Sequence, residues 1–342
     1  MTTHKSKLKI LIIRFSSIGD IVLTTPVIRT AKVQLENAEV HFCTKIKYYS
    51  LLKANPYIDK IICLEDSLAD LINTLKKEKY DYIIDLHNNL RTRIIKSSLR
   101  VISYSFNKLN YLKWLMVKFK VSKLPNVHIV DRYMGTVKAL GIKKDTLGLD
   151  YFIPDEEIIK PDQLPESFRT GYIAYAIGGQ HATKILPVNR MIELCDKINK
   201  PIVLIGGKED YENGEKIAQF FHKTENSAPY EASLLELNKK TEILNTCGKY
   251  NLNQSASLIK QARVVFSHDT GMMHIAAAFK KEIFSIWGNT IPGFGMYPYY
   301  TKFTIFENNK IGCRPCSKLG YPRCPLGHFK CMNDIVFDFY IP

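Results

Sequence analysis

No apolar run in this chain approaches the ~18 residues that cross a bilayer as a helix, so the sequence does not read as an integral helical membrane protein. The start, Met1 to Lys9, is polar and basic. The apolar stretch after it is short and has no small-residue cleavage site, so a secretory signal is not expected and a cytoplasmic protein is. No Gly-x-Gly-x-x-Gly follows the first apolar run, which argues against a nicotinamide enzyme, and no Walker spacing is present. Acidic residues are missing altogether between Leu86 and Val130. No internal repeat or low-complexity tract stands out.

The chain that remains has 342 residues, enough for two domains and a large core. Its net charge of +15 is uneven. Through Asp155 there are 26 Lys/Arg against 14 Asp/Glu, a balance of +12; the rest has 22 against 19, a balance of +3. The N-terminal half is therefore expected to meet something anionic: phosphorylated lipid head groups, a membrane surface or nucleic acid. A merely solvated basic surface is the plain alternative.

Short apolar runs alternate with helical patterns up to about Gly141. The runs Ile10–Arg14, Val40–Cys43, Lys60–Leu64 and Tyr82–Leu86 read as strands, with another possible at Arg100–Tyr104. Helices are expected at Ile21–Gln34, Ser67–Glu78 and Arg132–Leu140. Such alternation predicts a parallel sheet covered by helices on both faces. Ligands of these sheets bind beyond the C-terminal strand ends. Asp20, just past the first strand, and Asp85 to Arg91, just past the fourth, should then line one crevice. Asp20 also has a plain role open to it, capping the helix that follows. In the stretch without acids, Tyr104, Phe106, Tyr111, Trp114 and Phe119 are interleaved with Arg and Lys. Residues 111–120 suit an interfacial helix or a site for a phosphorylated glycolipid. A basic helix packed by its apolar side is the alternative, and no nucleic-acid motif accompanies the charge.

Pro154, Pro161 and Pro165 break the pattern and place a linker at about 153–168. This gives an N-terminal domain over 1–155 and a C-terminal one over 168–342. The second domain opens with a strand at Gly171–Ile177, followed by Gly178-Gly179-Gln180-His181-Ala182-Thr183-Lys184. Two glycines, a hydroxyl and a lysine before a helix make a plausible phosphate loop, or an ordinary turn with a solvated lysine. The strand Pro201–Ile205 runs into Gly206-Gly207-Lys208-Glu209-Asp210, where an acid can accept from ribose hydroxyls. Last comes an apolar run, Ala262–Phe266, and then Ser267-His268-Asp269-Thr270-Gly271-Met272-Met273-His274, followed by a small-residue helix. Asp269 or Thr270 can cap that helix. Gly271 lets a ligand approach the backbone. The helix start then offers N–H groups and a positive dipole end to an anion such as a diphosphate, with His274 one turn in.

The N-terminal Ser16-Ser17-Ile18-Gly19-Asp20 and the C-terminal Asp269-Thr270-Gly271-Met272-Met273-His274, about 250 residues apart and in the same order, together resemble glycosyltransferase family 9, the bacterial heptosyltransferases of lipopolysaccharide core synthesis. The resemblance extends over nearly the whole chain. It implies a GT-B fold, two doubly wound Rossmann-like α/β domains facing across a cleft. It implies an inverting transferase that moves a sugar, heptose by the family's habit, from a nucleotide-diphosphate donor such as ADP-heptose to an anionic lipopolysaccharide core acceptor. Asp20 matches the family's general base. Thr183, Lys184, Glu209 or Asp210, Asp269, Thr270, Gly271 and His274 match its donor-binding positions. Ser17, Gly19, Asn89, Arg91 and Arg93, in the crevice with Asp20, are the acceptor-side candidates. No cofactor is required, and no Asp-x-Asp motif is present to hold a metal. Peripheral contact with the inner face of the inner membrane is expected, and nucleic acid is not. Two competing readings stay open: a nucleotide-sugar epimerase of the same layout, and a non-catalytic anionic-lipid-binding protein.

Eight cysteines fall in two groups. Cys43, Cys63, Cys195 and Cys247 sit in or beside apolar runs and read as buried thiols. Cys313, Cys316, Cys324 and Cys331 form C-x2-C-x7-C-x6-C. They are candidates for a structural zinc site, with His328 as a spare ligand. Free thiols are the second possibility, and disulfides, which a cytoplasmic location disfavours, the third.

Overall fold

The segment Leu8–Ile13 (β1) is apolar on both faces, and its last four residues are completely buried, because helices cover both sides of the sheet it centres. The computed structural model describes residues 7–225 and 240–341. The chain splits into two compact units. One runs to Asn110 and resumes over Pro125–Pro154; the other comprises Tyr111–Leu124 and everything from Asp155. The change of unit at Pro154 falls inside the proline-marked stretch. The short visit of Tyr111–Leu124 to the second unit has no signature in the sequence.

In the first unit β1 is joined by Ala38–Lys45 (β2), Lys60–Leu64 (β3), Tyr82–Asp85 (β4) and Ile102–Ser105 (β5). All are parallel, in the order β3-β2-β1-β4-β5. The order reverses between β1 and β4, so a crevice opens at their C-terminal ends. Register aligns those ends: Ile13 pairs with Asp85, and Leu86 donates its N–H to the carbonyl of Ile13 at 3.1 Å. The helix expected over 21–34 is two helices, Ile18–Val22 (α1) and Thr25–Gln34 (α2). The break follows from the hydroxyls of Thr24 and Thr25, which donate back to the carbonyls of Ile21 and Val22, and from Pro26, which has no N–H to continue the ladder. Leu68–Glu78 (α3), Leu90–Leu99 (α4), Asn110–Phe119 (α5) and Ile129–Met134 (α6) follow. The helix expected at Arg132–Leu140 thus starts earlier and ends in a single 3-10 turn at Lys138–Leu140.

At the N-terminal end of these strands, Glu78 at the end of α3 accepts from Lys60 at 2.5 Å and Lys9 at 3.1 Å. These bonds hold its carboxyl down at about 2. A carboxyl lowered by folding contributes stability that is complete above the ordinary value near 4.5 and lost as pH falls toward 2. Acid unfolding followed by circular dichroism should therefore show the midpoint temperature falling through this window. Glu78→Gln should be less stable at neutral pH and flatter below pH 4.5. Glu39 and His41 share the cluster, and these three bring ligand atoms within 4.8 Å of one another. Both carboxylates are occupied by lysines there.

The second unit carries Glu166–Arg169 (α7), Ile173–Ala176 (β6), Val188–Ile198 (α8), Pro201–Ile205 (β7), Tyr211–Glu225 (α9), Glu242–Asn245 (β8), Leu252–Gln261 (α10), Val264–His268 (β9), Gly271–Ala278 (α11), Glu282–Trp287 (β10), Phe303–Glu307 (β11) and Lys330–Asn333 (α12). Its parallel sheet runs β11-β10-β9-β6-β7-β8. Here the order reverses between β6 and β9. The aromatic side of the core stacks Phe266 on Phe284 at 4.7 Å and closes with Phe337 and Phe339 from the C-terminal tail. The tail therefore belongs to the core of this unit.

Candidate active site

In the first unit Arg14 leaves β1 into the crevice and is itself buried. Its guanidinium donates to the carbonyls of Ser16 (2.6 Å) and Leu86 (2.5 Å) and to the Tyr133 hydroxyl (3.0 Å). The remaining nitrogen pairs with Oδ1 of Asp20 at 2.7 Å. The other carboxylate oxygen of Asp20 accepts from the hydroxyl and the backbone N–H of Ser17, at 2.8 and 3.2 Å. Asp20 thus caps α1 and stays 19% exposed at the crevice. The capping role and a chemical role are compatible, because a carboxylate has more lone pairs than these bonds use. Gly19 is buried behind it, and Ser17 is exposed.

Past β4, Asp85 is fully buried. It accepts from the N–H groups of His87 (3.0 Å) and Asn88 (2.7 Å) and pairs with Lys96 at 2.9 Å. It shapes the loop from beneath. His87 packs edge-on against Phe15, 5.5 Å between centroids. Burial, and then the charges of Arg14 and Lys108, push its imidazole down to about 4, so it is neutral near pH 7. The sequence reading did not single it out; its position two residues past a strand end was the only signal. Asn89 spends its side-chain oxygen on the cap of α4, accepting from Thr92 at 3.0 Å. Arg91 and Arg93 are exposed on the first turn of α4, and Arg91 borders a cavity of about 350 Å³ with Lys45 and Lys47.

In the second unit the loops after β6, β9 and β10 meet at the switch point. Lys184 donates to Oδ2 of Asp269 at 2.6 Å, and Thr290 donates to the same oxygen at 2.8 Å. Asp269 offers only acceptors when ionised, so what it presents to an anion is the lysine it holds. Thr270 sits at the N-cap of α11 without a side-chain cap bond. The Thr270 hydroxyl therefore does not occupy the first N–H groups of the helix, beside Gly271. His274 lies inside α11 and is buried.

Thr183 is placed differently from the expectation of a phosphate ligand. It is 2% exposed; its hydroxyl accepts from the N–H of Tyr321 (2.8 Å) and lies 3.1 Å from the Asn289 side-chain oxygen. These partners lie 138 and 106 positions away, and they make Thr183 a tie between loops. The two acids after β7 also separate. Asp210 is buried and accepts from the N–H of Gly207 at 2.8 Å. Gly178 lets it approach, since a Cβ there would lie 2.2 Å from its carboxylate. Glu209 is exposed.

Two residues outside the sequence expectations build this site. His268, fully buried at the end of β9, accepts from the N–H of Leu186 at 3.1 Å and so fixes the loop carrying Lys184. Burial pushes its imidazole down to about 4, which keeps that nitrogen an acceptor. Arg314, between Cys313 and Cys316, donates to the carbonyls of Gly288 (2.5 Å) and Thr290 (2.8 Å) and to Glu307 (2.8 Å). The cysteine-rich segment is thereby a buttress for the loop that presents Thr290. All eight cysteines are free thiols. Cys313 lies 3.9 Å from Nε2 of His328. Among the described residues, the tail brings no three ligand atoms within 4.8 Å of one another, so the thiols as they stand do not form a closed tetrahedral site.

Residues 68–322 match the sequence profile of glycosyltransferase family 9 (heptosyltransferase). The chain is 23% identical over 308 residues to lipopolysaccharide heptosyltransferase 1 of Campylobacter coli, covering 83% of this chain and 84% of that one. It is 24% identical to lipooligosaccharide heptosyltransferase 2 of Haemophilus influenzae, covering 88% of each. Among solved structures, the ADP-heptose LPS heptosyltransferase II of Escherichia coli superposes with a TM-score of 0.67 at 18% identity, over 96% of this chain and 98% of that one. The fold is that of these GT-B proteins, two doubly wound α/β domains. No helix among the described residues is long and apolar enough to cross a membrane.

Proposed function

The chain belongs to glycosyltransferase family 9, and from that membership we propose that it transfers heptose from ADP-heptose to an anionic lipopolysaccharide core acceptor, with inversion at the anomeric carbon. The observation that carries the reading is Lys184, held by Asp269 at 2.6 Å beside the uncapped start of α11. An ammonium group, helix N–H donors and Gly271 together suit the diphosphate of a nucleotide sugar. Thr270 lines this place and Glu209 takes a ribose hydroxyl. Asp269 and His274 support it from behind, and Thr183 and Asp210 shape its loops.

The acceptor hydroxyl adds to the anomeric carbon as the bond from that carbon to the diphosphate breaks. The hydroxyl proton passes to Asp20, and ADP leaves with the electron pair. Lys184 offsets the charge that builds on the departing diphosphate. Arg14 and Ser17 hold the Asp20 carboxylate in one orientation, which is what a general base needs. Ser17, Arg91 and Arg93 form the acceptor side, with Gly19 and Asn89 shaping its loops, where the cationic excess of the N-terminal half meets phosphorylated sugar. The reaction runs at the cytoplasmic face of the inner membrane. A zinc ion bound by the tail cysteines would close that segment, and metal analysis of the purified protein checks for it.

The test is transfer of labelled heptose from ADP-heptose to a truncated lipopolysaccharide acceptor. Labelled product that appears only with acceptor present supports the proposal. Conversion of the donor without acceptor identifies an epimerase instead. Binding of anionic lipid with no turnover of any nucleotide sugar identifies a non-catalytic protein.

A further inference from the structure

Helix α5 is at odds with its own composition. Seven of its ten residues, Tyr111, Leu112, Trp114, Leu115, Met116, Val117 and Phe119, are apolar or aromatic, yet none of the ten is buried. Tyr111 is 68% exposed, Trp114 47% and Phe119 58%. The three rings pack on one another in the open: Tyr111 stacks on Trp114 at 6.1 Å, and Trp114 meets Phe119 edge-on at 5.2 Å. Tyr111, Trp114 and Lys118 recur at spacings of three and four, so the outward face is aromatic and cationic together.

The helix is anchored rather than loose. Just past its end, Lys120 donates to the carbonyls of Cys313 (2.9 Å) and Pro315 (2.8 Å), and Lys113 lies 5.7 Å over the ring of Phe294. The exposed rings therefore sit on a helix tied to the second unit at Lys113 and just past its end at Lys120.

We propose that α5 and the segment after it, to Lys123, form the docking surface of this protein for an anionic lipid bilayer. Tyr and Trp are the side chains that settle at a membrane interface, with an apolar body and a polar tip. Lys118 and Lys123 are exposed around them, and no acid occurs between Leu86 and Val130 to oppose an anionic surface. The same uniform charge makes a second copy of this helix a poor partner, because the cations would face one another. Nucleic acid is disfavoured by the apolar bulk. The assignment rests on the reading of the chain as a transferase whose acceptor is a lipid. It supplies what that reading lacks, a means of holding the enzyme at the surface where the acceptor lies.

The protein carries its own reporter. It has two tryptophans, and Trp287 is buried in the core of the second unit, so a change of emission on adding vesicles comes from Trp114. Phosphatidylcholine vesicles containing about 30% phosphatidylglycerol, and no acceptor, should shift the emission of the full chain to the blue and co-sediment with it. Neutral phosphatidylcholine vesicles should do neither, and salt should reverse the effect. A basic residue near an anionic surface changes partition about five-fold. Lys118→Glu with Lys123→Glu should therefore weaken co-sedimentation by ~25-fold or more. Tyr111→Ser with Trp114→Ser should weaken it as well, while transfer to a soluble delipidated acceptor is unchanged. Because the vesicles hold no acceptor, docking is measured whether or not the chain transfers heptose. No blue shift, equal binding to neutral vesicles, binding unaffected by the lysine variants, or a dimer that hides Trp114 would each overturn the assignment. So would RNA competing the protein off the vesicles at equal charge.

Discussion

Asp20→Asn is expected to lower the transfer rate by about 10² to 10⁴, the usual contribution of a positioned general base, while the affinity for ADP is unchanged. The substitution keeps the shape and removes the proton acceptor. Its structural cost is local. Arg14 and Ser17 both donate to this carboxylate, so the new amide NH2 must turn toward a donor on one side. The loss of one charge-assisted hydrogen bond is worth about 1.5–3 kcal/mol. Thermal unfolding measures that cost separately from the rate. Asp20→Ala removes the cap and the base together and should be the less stable of the two at similar activity. Arg14→Lys is the informative companion. It keeps a positive charge but cannot reach Asp20, Ser16, Leu86 and Tyr133 at once. It should lower the rate by misplacing the carboxylate while the pH profile keeps its shape. Undiminished transfer by Asp20→Asn would reduce Asp20 to a helix cap.

What was legible in the sequence is what lies at strand ends. β1, β4, β6, β7 and β9 announce themselves as short apolar runs, and a parallel sheet sends its ligands to the loops just past such runs. Asp20, Lys184 and Asp269, which lie in those loops, therefore stand out as candidates in the sequence. Residues whose role comes from partners far along the chain were not. Thr183 reads as a phosphate hydroxyl next to Lys184, but Tyr321 and Asn289 occupy it. Arg314 reads as a spacer inside a cysteine motif, yet it is the hub of the loop at Thr290. His268 and His87 read as neighbours of a motif, and burial, which a local pattern does not report, is what makes them neutral. The excursion of Tyr111–Leu124 into the second unit was hidden for the same reason. Its composition was legible as an interfacial helix, but the anchoring of Lys120 to the carbonyls of Cys313 and Pro315 spans almost two hundred positions.

The second large effect belongs to Lys184. Lys184→Ala should reduce turnover by about 10² to 10³, the range seen when one preorganised donor to a developing anion is removed. It should weaken ADP binding much less, because the charge it offsets grows as the diphosphate departs. Lys184→Arg keeps the charge but replaces a compact ammonium by a planar fork with a different hydrogen-bond geometry, and it should recover only part of the rate. Asp269 separates two mechanisms. If it acts by holding Lys184, Asp269→Asn should cost activity on its own yet add nothing to Lys184→Ala, since the group it positions is already gone. If it contacts the nucleotide directly, the two losses should multiply. The geometry favours the first outcome. One carboxylate oxygen receives both Lys184 and Thr290, and an ionised carboxylate has no proton to give a phosphate. Measuring turnover and ADP affinity for the two single variants and the double variant decides between them, because non-additivity appears only where two residues share one interaction.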